Sequence, residues 1–259
     1  MASGRFSVHL AKTKEDLKAA QELRFEVFFG EFHAKAMTEQ HSAGLDSDKF
    51  DAFCEHLLVV DNENDKKVIA TTRLLLSQQK PADLSYIAQE EFSIPLLDAV
   101  KDNCMEVGRS CVHKDYRDGK AIQLLWRGIT KLIFNHDIRY LFGCASFHAT
   151  DIDKIAYELS YLHHYRLDDE PHIARALDYQ SMERMAKDDI DPDEALAKLP
   201  PLIKAYLSLG GVVGDGVALD PDFKTLDVLI TVDVAKVPDQ YYRFYKKQAD
   251  RLDLTPLNT

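Results

Sequence analysis

Met105-Glu106-Val107-Gly108-Arg109-Ser110-Cys111-Val112-His113, followed by Tyr116-Arg117-Asp118-Gly119-Lys120-Ala121, is the stretch whose reading decides the fold. Met105 to His113 has the apolar run of a strand. Lys120 to His136 reads as a helix, because Ile122, Leu125, Trp126, Ile129, Leu132 and Ile133 fall on one face at helical spacing. A second apolar run from Ile138 to Phe147 closes a strand-helix-strand unit, whose two strands lie parallel.

Working outward, Leu17, Leu23, Val27 and Phe28 recur among charges and predict an amphipathic helix over 14–29. His56 to Asp61 and Lys67 to Leu76 flank Asn62-Glu63-Asn64-Asp65 and predict a hairpin. A short helix starts near Pro95. Asp151 or Asp153 caps a helix running toward His164. Residues 168–198 are charged and irregular, with helical stretches, and read as a surface insertion. Leu199-Pro200-Pro201 opens a helix that Gly210-Gly211 stops, and 211–220 with 224–234 form an antiparallel pair joined at Asp220-Pro221-Asp222. The expected architecture is α/β: one domain over 1–259, with a mixed central sheet, a parallel βαβ core and flanking helices.

The 259 residues are 46% hydrophobic, ample for a core, and carry a formal net charge of −11. That balance excludes an extended nucleic-acid surface, which needs clustered cations. Cys54, Cys104, Cys111 and Cys144 show no zinc spacing, so no metal is expected. His163-His164 reads as a capping or packing pair. Neither a signal peptide nor the ~20 apolar residues of a membrane span is present, so a cytoplasmic protein is expected. Gln240 to Lys247 interleaves aromatics with cations, as segments in peripheral contact with the inner membrane do.

A helix that follows a strand and a glycine turn offers free N–H groups to an anion. In Tyr116 to Ala121, Gly119 lets the backbone approach a ligand, Lys120 adds charge and Ala121 stays out of the way. Lys120, Arg127 and Lys131 line one face of the helix, a cationic stripe suited to an acidic carrier protein. Glu106 stands in an otherwise apolar strand, where a carboxylate must be paired, hydrated or protonated. It is the candidate general base. A bulge near Gly108 is expected to bring Glu106 and Arg109 to one side and to free the strand edge for a pantetheine arm. Cys111 with His113 is the weaker alternative, a direct nucleophile.

The turn resembles the pyrophosphate loop of the GNAT acyltransferase superfamily at Gly119 and Ala121, with Tyr116 and Arg117 departing from its first position. Arg24, Phe28, Asp48-x-x-Asp51, Arg73 and Glu106-x-x-Arg109, in that order, resemble the acyl-homoserine-lactone synthases. Longer runs, including Leu23 to Phe28, Phe50 to Val59, Val107 to Gly128 and Val213-Gly214-Asp215-Gly216, resemble the bacterial L-ornithine Nα-acyltransferases. The resemblance implies a GNAT fold and transfer of a 3-hydroxyacyl chain from acyl carrier protein to the α-amine of ornithine, giving lyso-ornithine lipid. It needs no cofactor beyond the acyl-phosphopantetheine co-substrate.

On that reading Glu106, Arg109 and Ser110 are catalytic, and amides near Ser110 and Cys111 meet the oxyanion. Arg24, Phe28, Asp48, Asp51 and Arg73 bind the amino acid: Arg109 or Arg73 takes its carboxylate, and Asp48 or Asp51 its side-chain ammonium. Cys111, Val112, Arg117, Gly119, Lys120 and Ala121 receive the pantetheine, and Arg127 and Lys131 dock the carrier. The alternatives are an acyl-homoserine-lactone or other N-acyl amino acid synthase, and a non-catalytic lipid- or carrier-binding protein.

Overall fold

A computed structural model describes residues 4–35, 39–100, 102–168, 173–252 and 254. In chain order its elements begin with β1 (Phe6–Leu10), α1 (Lys14–Phe25), α2 (Glu39–Ser42), β2 (Glu55–Asp61), β3 (Lys67–Leu76), β4 (Phe92–Ser93) and α3 (Leu96–Ala99). The middle of the chain holds β5 (Cys104–Val112), α4 (Lys120–Asn135), β6 (Tyr140–Phe147), α5 (Ala156–Arg166) and β7 (Arg175–Ala176). After these come α6 (Pro192–Lys198), α7 (Pro201–Ser208), β8 (Val212–Val213), β9 (Ala218–Asp220), β10 (Thr225–Asp233) and α8 (Asp239–Asp250).

These elements group into two compact units. The first is Met1–Pro81, Val107–Ile138 and Asp239–Thr259, and the second is Ala82–Glu106 and Arg139–Pro238. The strand β5 therefore passes from one to the other between Glu106 and Val107.

In the first unit β1, β2 and β3 run antiparallel in sequence order, and β5 lies beside β3. β2 and β3 are buried on both faces, which is why they read as continuous apolar runs rather than as alternation. Successive side chains serve opposite layers. Leu58 and Val60 meet Ala20 and Leu23 of α1 and Val27 just beyond it, with Val68 and Cys111. Leu57 meets α4 at Gly128, where an added Cβ would stand 2.9 Å from Leu57 Cδ1 and 3.2 Å from Val8 Cγ2.

Helix α1 starts from a reciprocal cap: Thr13 Oγ1 accepts from Asp16 N at 3.1 Å, and Asp16 Oδ2 accepts from Thr13 N at 3.1 Å. The sequence predicts one helix to residue 29. The structure ends the α-helix at Phe25 and continues as a π-helix over Glu26–Glu31, with Phe25 and Phe29 stacked at 5.2 Å. At the C-terminal end of the chain α8 packs on α4, with Tyr242 edge-on to Phe134 at 5.4 Å, Lys246 Nζ 4.8 Å over the same ring, and Ala249 fully buried.

In the second unit only Cys104, Met105 and Glu106 of β5 pair with β6, in parallel, opposite Tyr140, Leu141 and Phe142. β6 runs antiparallel to β10 along its full length, and β10 also pairs with β8 and β9. The loop at Asp220-Pro221-Asp222 is held by Asp220 Oδ1, which accepts from Asp222 N and Phe223 N at 2.8 and 2.9 Å.

The segment 168–198, read from sequence as a helical insertion on the surface, is more integrated than that. Its described residues contain one α-helix, α6, and one 3₁₀ turn; β7 pairs with β4, and Met182 and Ala195 are fully buried. Scattered small and apolar side chains anchor it without any helical period that the sequence could display. Residues 169–172 of that segment lie outside the described ones.

Candidate active site

In the first unit three arginines and three aspartates form one buried network. Arg24, in the last turn of α1, donates from Nη2 to Asp51 Oδ1 and Oδ2 at 3.0 and 2.8 Å and pairs through Nε with Asp46 Oδ2 at 2.8 Å. Gln21, one turn earlier, donates to Asp51 Oδ2 at 2.9 Å. Arg73 of β3 donates from Nη1 to Asp48 Oδ1 at 2.6 Å and to Asp51 Oδ1 at 2.8 Å. Arg109 of β5 pairs with Asp46 at 3.2 Å and with Asp48 at 3.7 Å.

The structure thus brings Arg24, Asp48, Asp51, Arg73 and Arg109 together, as their shared grouping in the sequence suggests, and adds Asp46, Gln21 and His56. Asp46 stands two positions before Asp48 and was legible only as one more acid in a polar loop. Asp51 accepts four hydrogen bonds, about the capacity of a carboxylate. Burial would raise its pKa, but the charges and hydrogen bonds of Arg24 and Arg73 outweigh that and hold the carboxyl well below the usual range. Burial also opposes the charge of Arg73, and Asp48 and Asp51 overcome it and raise its pKa. His56 donates from Nε2 to the Asp51 carbonyl at 3.1 Å, and burial lowers its pKa.

Exposure separates the members. The side chains of Arg24 and Arg73 are 1% exposed, whereas those of Asp48 and Arg109 keep 26% and 23%. Arg24, Arg73 and Asp51 are thus closed off from solvent, whereas Asp48 and Arg109 are partly open to it. Phe28 packs from the π-helix against the core cluster that includes Leu23, Val27 and Cys111.

The expected irregularity in β5 falls at Arg109, which takes φ +52°, rather than at Gly108. A left-handed residue inside a strand turns its neighbouring amides out of register. Ser110 Oγ lies 2.7 Å from Thr72 Oγ1. Cys111 is 6% exposed, and burial pushes its thiol up to about 12, so a thiolate nucleophile is disfavoured. His113 accordingly serves elsewhere, with Nε2 at 2.9 Å from Lys67 Nζ and 3.1 Å from Glu26.

At the turn Gly119 takes φ +92° and opens α4, with nothing within 4 Å of an added Cβ. Asp118 occupies part of the helix start: its Oδ1 accepts from Lys120 N at 3.0 Å and its Oδ2 pairs with Lys120 Nζ at 2.9 Å. Arg117 donates from Nε to the Val112 carbonyl at 3.0 Å and from Nη2 to Glu31 Oε2 at 2.8 Å, tying the π-helix to the end of β5. Arg127 and Lys131 are half-buried on α4.

In the second unit Glu106 is 3% exposed, and its carboxylate caps the 3₁₀ turn Ile87–Glu90: Oε2 accepts from Ile87 N at 2.9 Å and Oε1 from Ala88 N at 2.6 Å. Each carboxylate oxygen thus accepts one backbone N–H. Among the described residues, two groups of side chains bring three possible metal-ligating atoms within 4.8 Å of one another: His163, His164 and Glu183, and Glu91, Asp220 and Asp227. Of the first group, His164 Nε2 is engaged by the Met185 carbonyl at 2.9 Å.

Residues 23–127 match the acetyltransferase (GNAT) domain family. Over nearly its whole length the chain is similar to a protein of Brucella abortus named L-ornithine N(alpha)-acyltransferase, at 37% identity over 256 residues, 96% of this chain and 91% of that protein. A Rhodobacter capsulatus protein of the same name is 35% identical over 249 residues, 95% of this chain and 96% of its own length. Among solved structures the fold is similar to that of BjaI, a CoA-dependent acyl-homoserine lactone synthase solved with SAM and isopentyl-CoA. The TM-score is 0.54 at 16% identity, over 96% of this chain and 92% of that one, a likeness of fold.

Proposed function

The chain belongs to the L-ornithine Nα-acyltransferase family and moves an acyl group onto ornithine; from that premise we propose that the donor is a 3-hydroxyacyl thioester of acyl carrier protein and the product lyso-ornithine lipid. The observation that carries the mechanism is the carboxylate of Glu106, buried on β5 and anchored by two backbone N–H groups.

Acyl transfer needs a neutral amine, a polarised thioester carbonyl and a place for negative charge on its oxygen. Glu106 takes the ammonium proton through a water. The amine nitrogen then bonds to the thioester carbon and the oxyanion forms; as the carbon–sulfur bond breaks, the surplus proton on nitrogen passes to the leaving sulfur, giving the amide and the pantetheine thiol. Amides near Ser110 and Cys111, turned by the left-handed Arg109, meet the oxyanion, and Ser110 supports them through Thr72. The fork of Arg109 takes the α-carboxylate, with Asp48 beside it, while Arg24, Asp51 and Arg73 are positioning residues and Phe28 packs behind them. Cys111, Val112, Arg117, Gly119, Lys120 and Ala121 form the track for the pantetheine, and Arg127 and Lys131 meet the carrier.

The same reading has the enzyme work in the cytoplasm, in peripheral contact with the inner membrane. Among the described residues no helix is long and apolar enough to cross a membrane. On α8, Phe244 is 56% exposed near Arg243 and Lys247. The deciding experiment incubates purified protein with 3-hydroxyacyl thioesters of acyl carrier protein or of coenzyme A and a panel of amino acids, with products read by mass spectrometry. Nα-acylornithine from the carrier thioester is the expected result. Faster transfer from coenzyme A would overturn the donor assignment, and the absence of acylornithine the whole reading.

A further inference from the structure

Asp51 is saturated by Arg24, Arg73 and Gln21, and Asp48 is shared by Arg73 and Arg109, so carboxylates elsewhere are better placed to meet the side-chain ammonium of a diamino acid. The second unit holds a set of them. Register fixes their common face: Asp220 lies opposite Thr225, Asp227 two residues further along β10 lies opposite Ser146, and Glu106 lies opposite Phe142. Opposed residues share a face and alternate residues keep it. Glu106, Phe142, Cys144, Ser146, Thr225, Asp227 and Asp220 therefore project from one side of the β5-β6-β10-β9 array.

The 3₁₀ turn Ile87–Glu90 covers that side. Tyr86 stands edge-on to Phe142 at 5.0 Å, the first N–H groups hold Glu106, and Glu91 follows directly after the turn. There Glu91 brings a carboxylate oxygen within 4.8 Å of both Asp220 and Asp227. Asp227 is buried, and Glu91 and Asp220 are half-buried above it. Cys144 lies beside them, and burial with their negative charge raises its thiol pKa, so it adds no anion. An independent sign of a ligand is Thr225, 4% exposed, whose hydroxyl has no hydrogen-bond partner and issues from the same face, opposite Asp220. Three carboxylates this close repel one another when charged, so a cation among them is bound favourably, and a buried hydroxyl without a partner calls for a donor or acceptor. An alkylammonium brings one charge and three N–H donors. The turn itself spans roughly 8 Å at 3₁₀ rise, a separation that the two amines of an extended ornithine, with their hydrogen bonds, can bridge.

We propose that Asp227, with Glu91, Asp220 and the Thr225 hydroxyl, binds the side-chain ammonium of the acceptor and selects α-amino acids that carry a distal amine. The inference rests on the acyltransferase reading and adds to it the residues that set acceptor class.

The test compares kcat/KM for ornithine and for norvaline, which has the same carbon chain without the distal amine, in wild type, Asp227→Asn and Glu91→Gln. Wild type should prefer ornithine strongly, and each substitution should cut the ornithine-to-norvaline ratio on the order of a hundredfold, mostly through the KM for ornithine, with thermal melting as the fold control. A wild type that acylates both equally overturns the proposal without any variant, as does an undiminished ratio in the folded variants. A preference abolished by EDTA and restored by calcium or magnesium also overturns it, in favour of a metal ion. A wild type that acylates no amino acid overturns the enzymatic reading itself, a result distinct from all of these.

Discussion

Glu106 receives a backbone N–H on each carboxylate oxygen, so its orientation is fixed by the 3₁₀ turn it caps. Glu106→Gln would place an amide NH₂ against one of those donors. The expected cost is about 1–3 kcal/mol in urea unfolding, against a loss of about 100- to 10,000-fold in single-turnover transfer from general-base help. Turnover near wild type in a folded variant would remove Glu106 as the base. Acid stability is set by a different pair of residues. His56 has its pKa lowered by burial, so between that value and its ordinary one, about 6.5, the unfolded chain binds the extra proton; His56 thus stabilises the fold above that range and loses its contribution as pH falls through it. Asp51 has a depressed pKa, so its contribution is complete above about 3.9 and disappears below it. Unfolding free energy should therefore fall with decreasing pH in two stages. His56→Gln should flatten the first, which has a slope of at most about 1.4 kcal/mol per pH unit for one proton; an unchanged slope in that variant would assign the loss to other groups.

Helix α4 owes its place to Gly128, which lets it rest on Leu57 and Val8 of the sheet beneath. Gly128→Val would drive a β-branched side chain into that contact, with an expected loss of about 1–3 kcal/mol from overpacking. A stability equal to wild type, measured in urea, would mean that the helix can lift. The elements themselves were largely legible: β2, β3, β5, α4, β6 and the 225–233 strand follow from apolar period and turn residues, and the parallel β5-β6 pair follows from their order. A bulge is expected near Gly108, because a glycine in an apolar strand near a charged pair marks such a distortion, and the neighbouring Arg109 takes a left-handed φ of +52°. Partners were harder to read. Nothing in the spacing shows that Asp46 reaches Arg24, that the amides of Ile87 and Ala88 hold Glu106, or that Glu91 meets Asp220 and Asp227. Those are meetings of chain segments far apart in sequence, and a periodic pattern carries information only about a residue's own element. The division of labour between Asp48 and Asp51 was hidden for the same reason, since it depends on which carboxylate the buried arginines occupy.

The whole chain carries a formal charge of −11, which repels an acidic carrier protein at long range, so any productive encounter depends on where the cations are concentrated. Three of them, Lys120, Arg127 and Lys131, lie along one face of α4, spaced so that they recur on the same side of the helix. Lys120 is paired with Asp118, so the proposed docking of the carrier rests on Arg127 and Lys131. Replacing both with glutamate should raise the KM for the carrier-bound thioester about tenfold or more at low salt, in line with steering effects on association. Raising ionic strength should weaken the wild type toward the variant, because charges separated by more than roughly 8–10 Å are screened at physiological salt. The same thioester on free pantetheine has no acidic partner to steer and should be used equally well by both proteins. A double variant that loses activity on pantetheine and carrier substrates alike would show that these side chains support α4 rather than attract the carrier. A variant indifferent to both would place the docking surface elsewhere in the molecule.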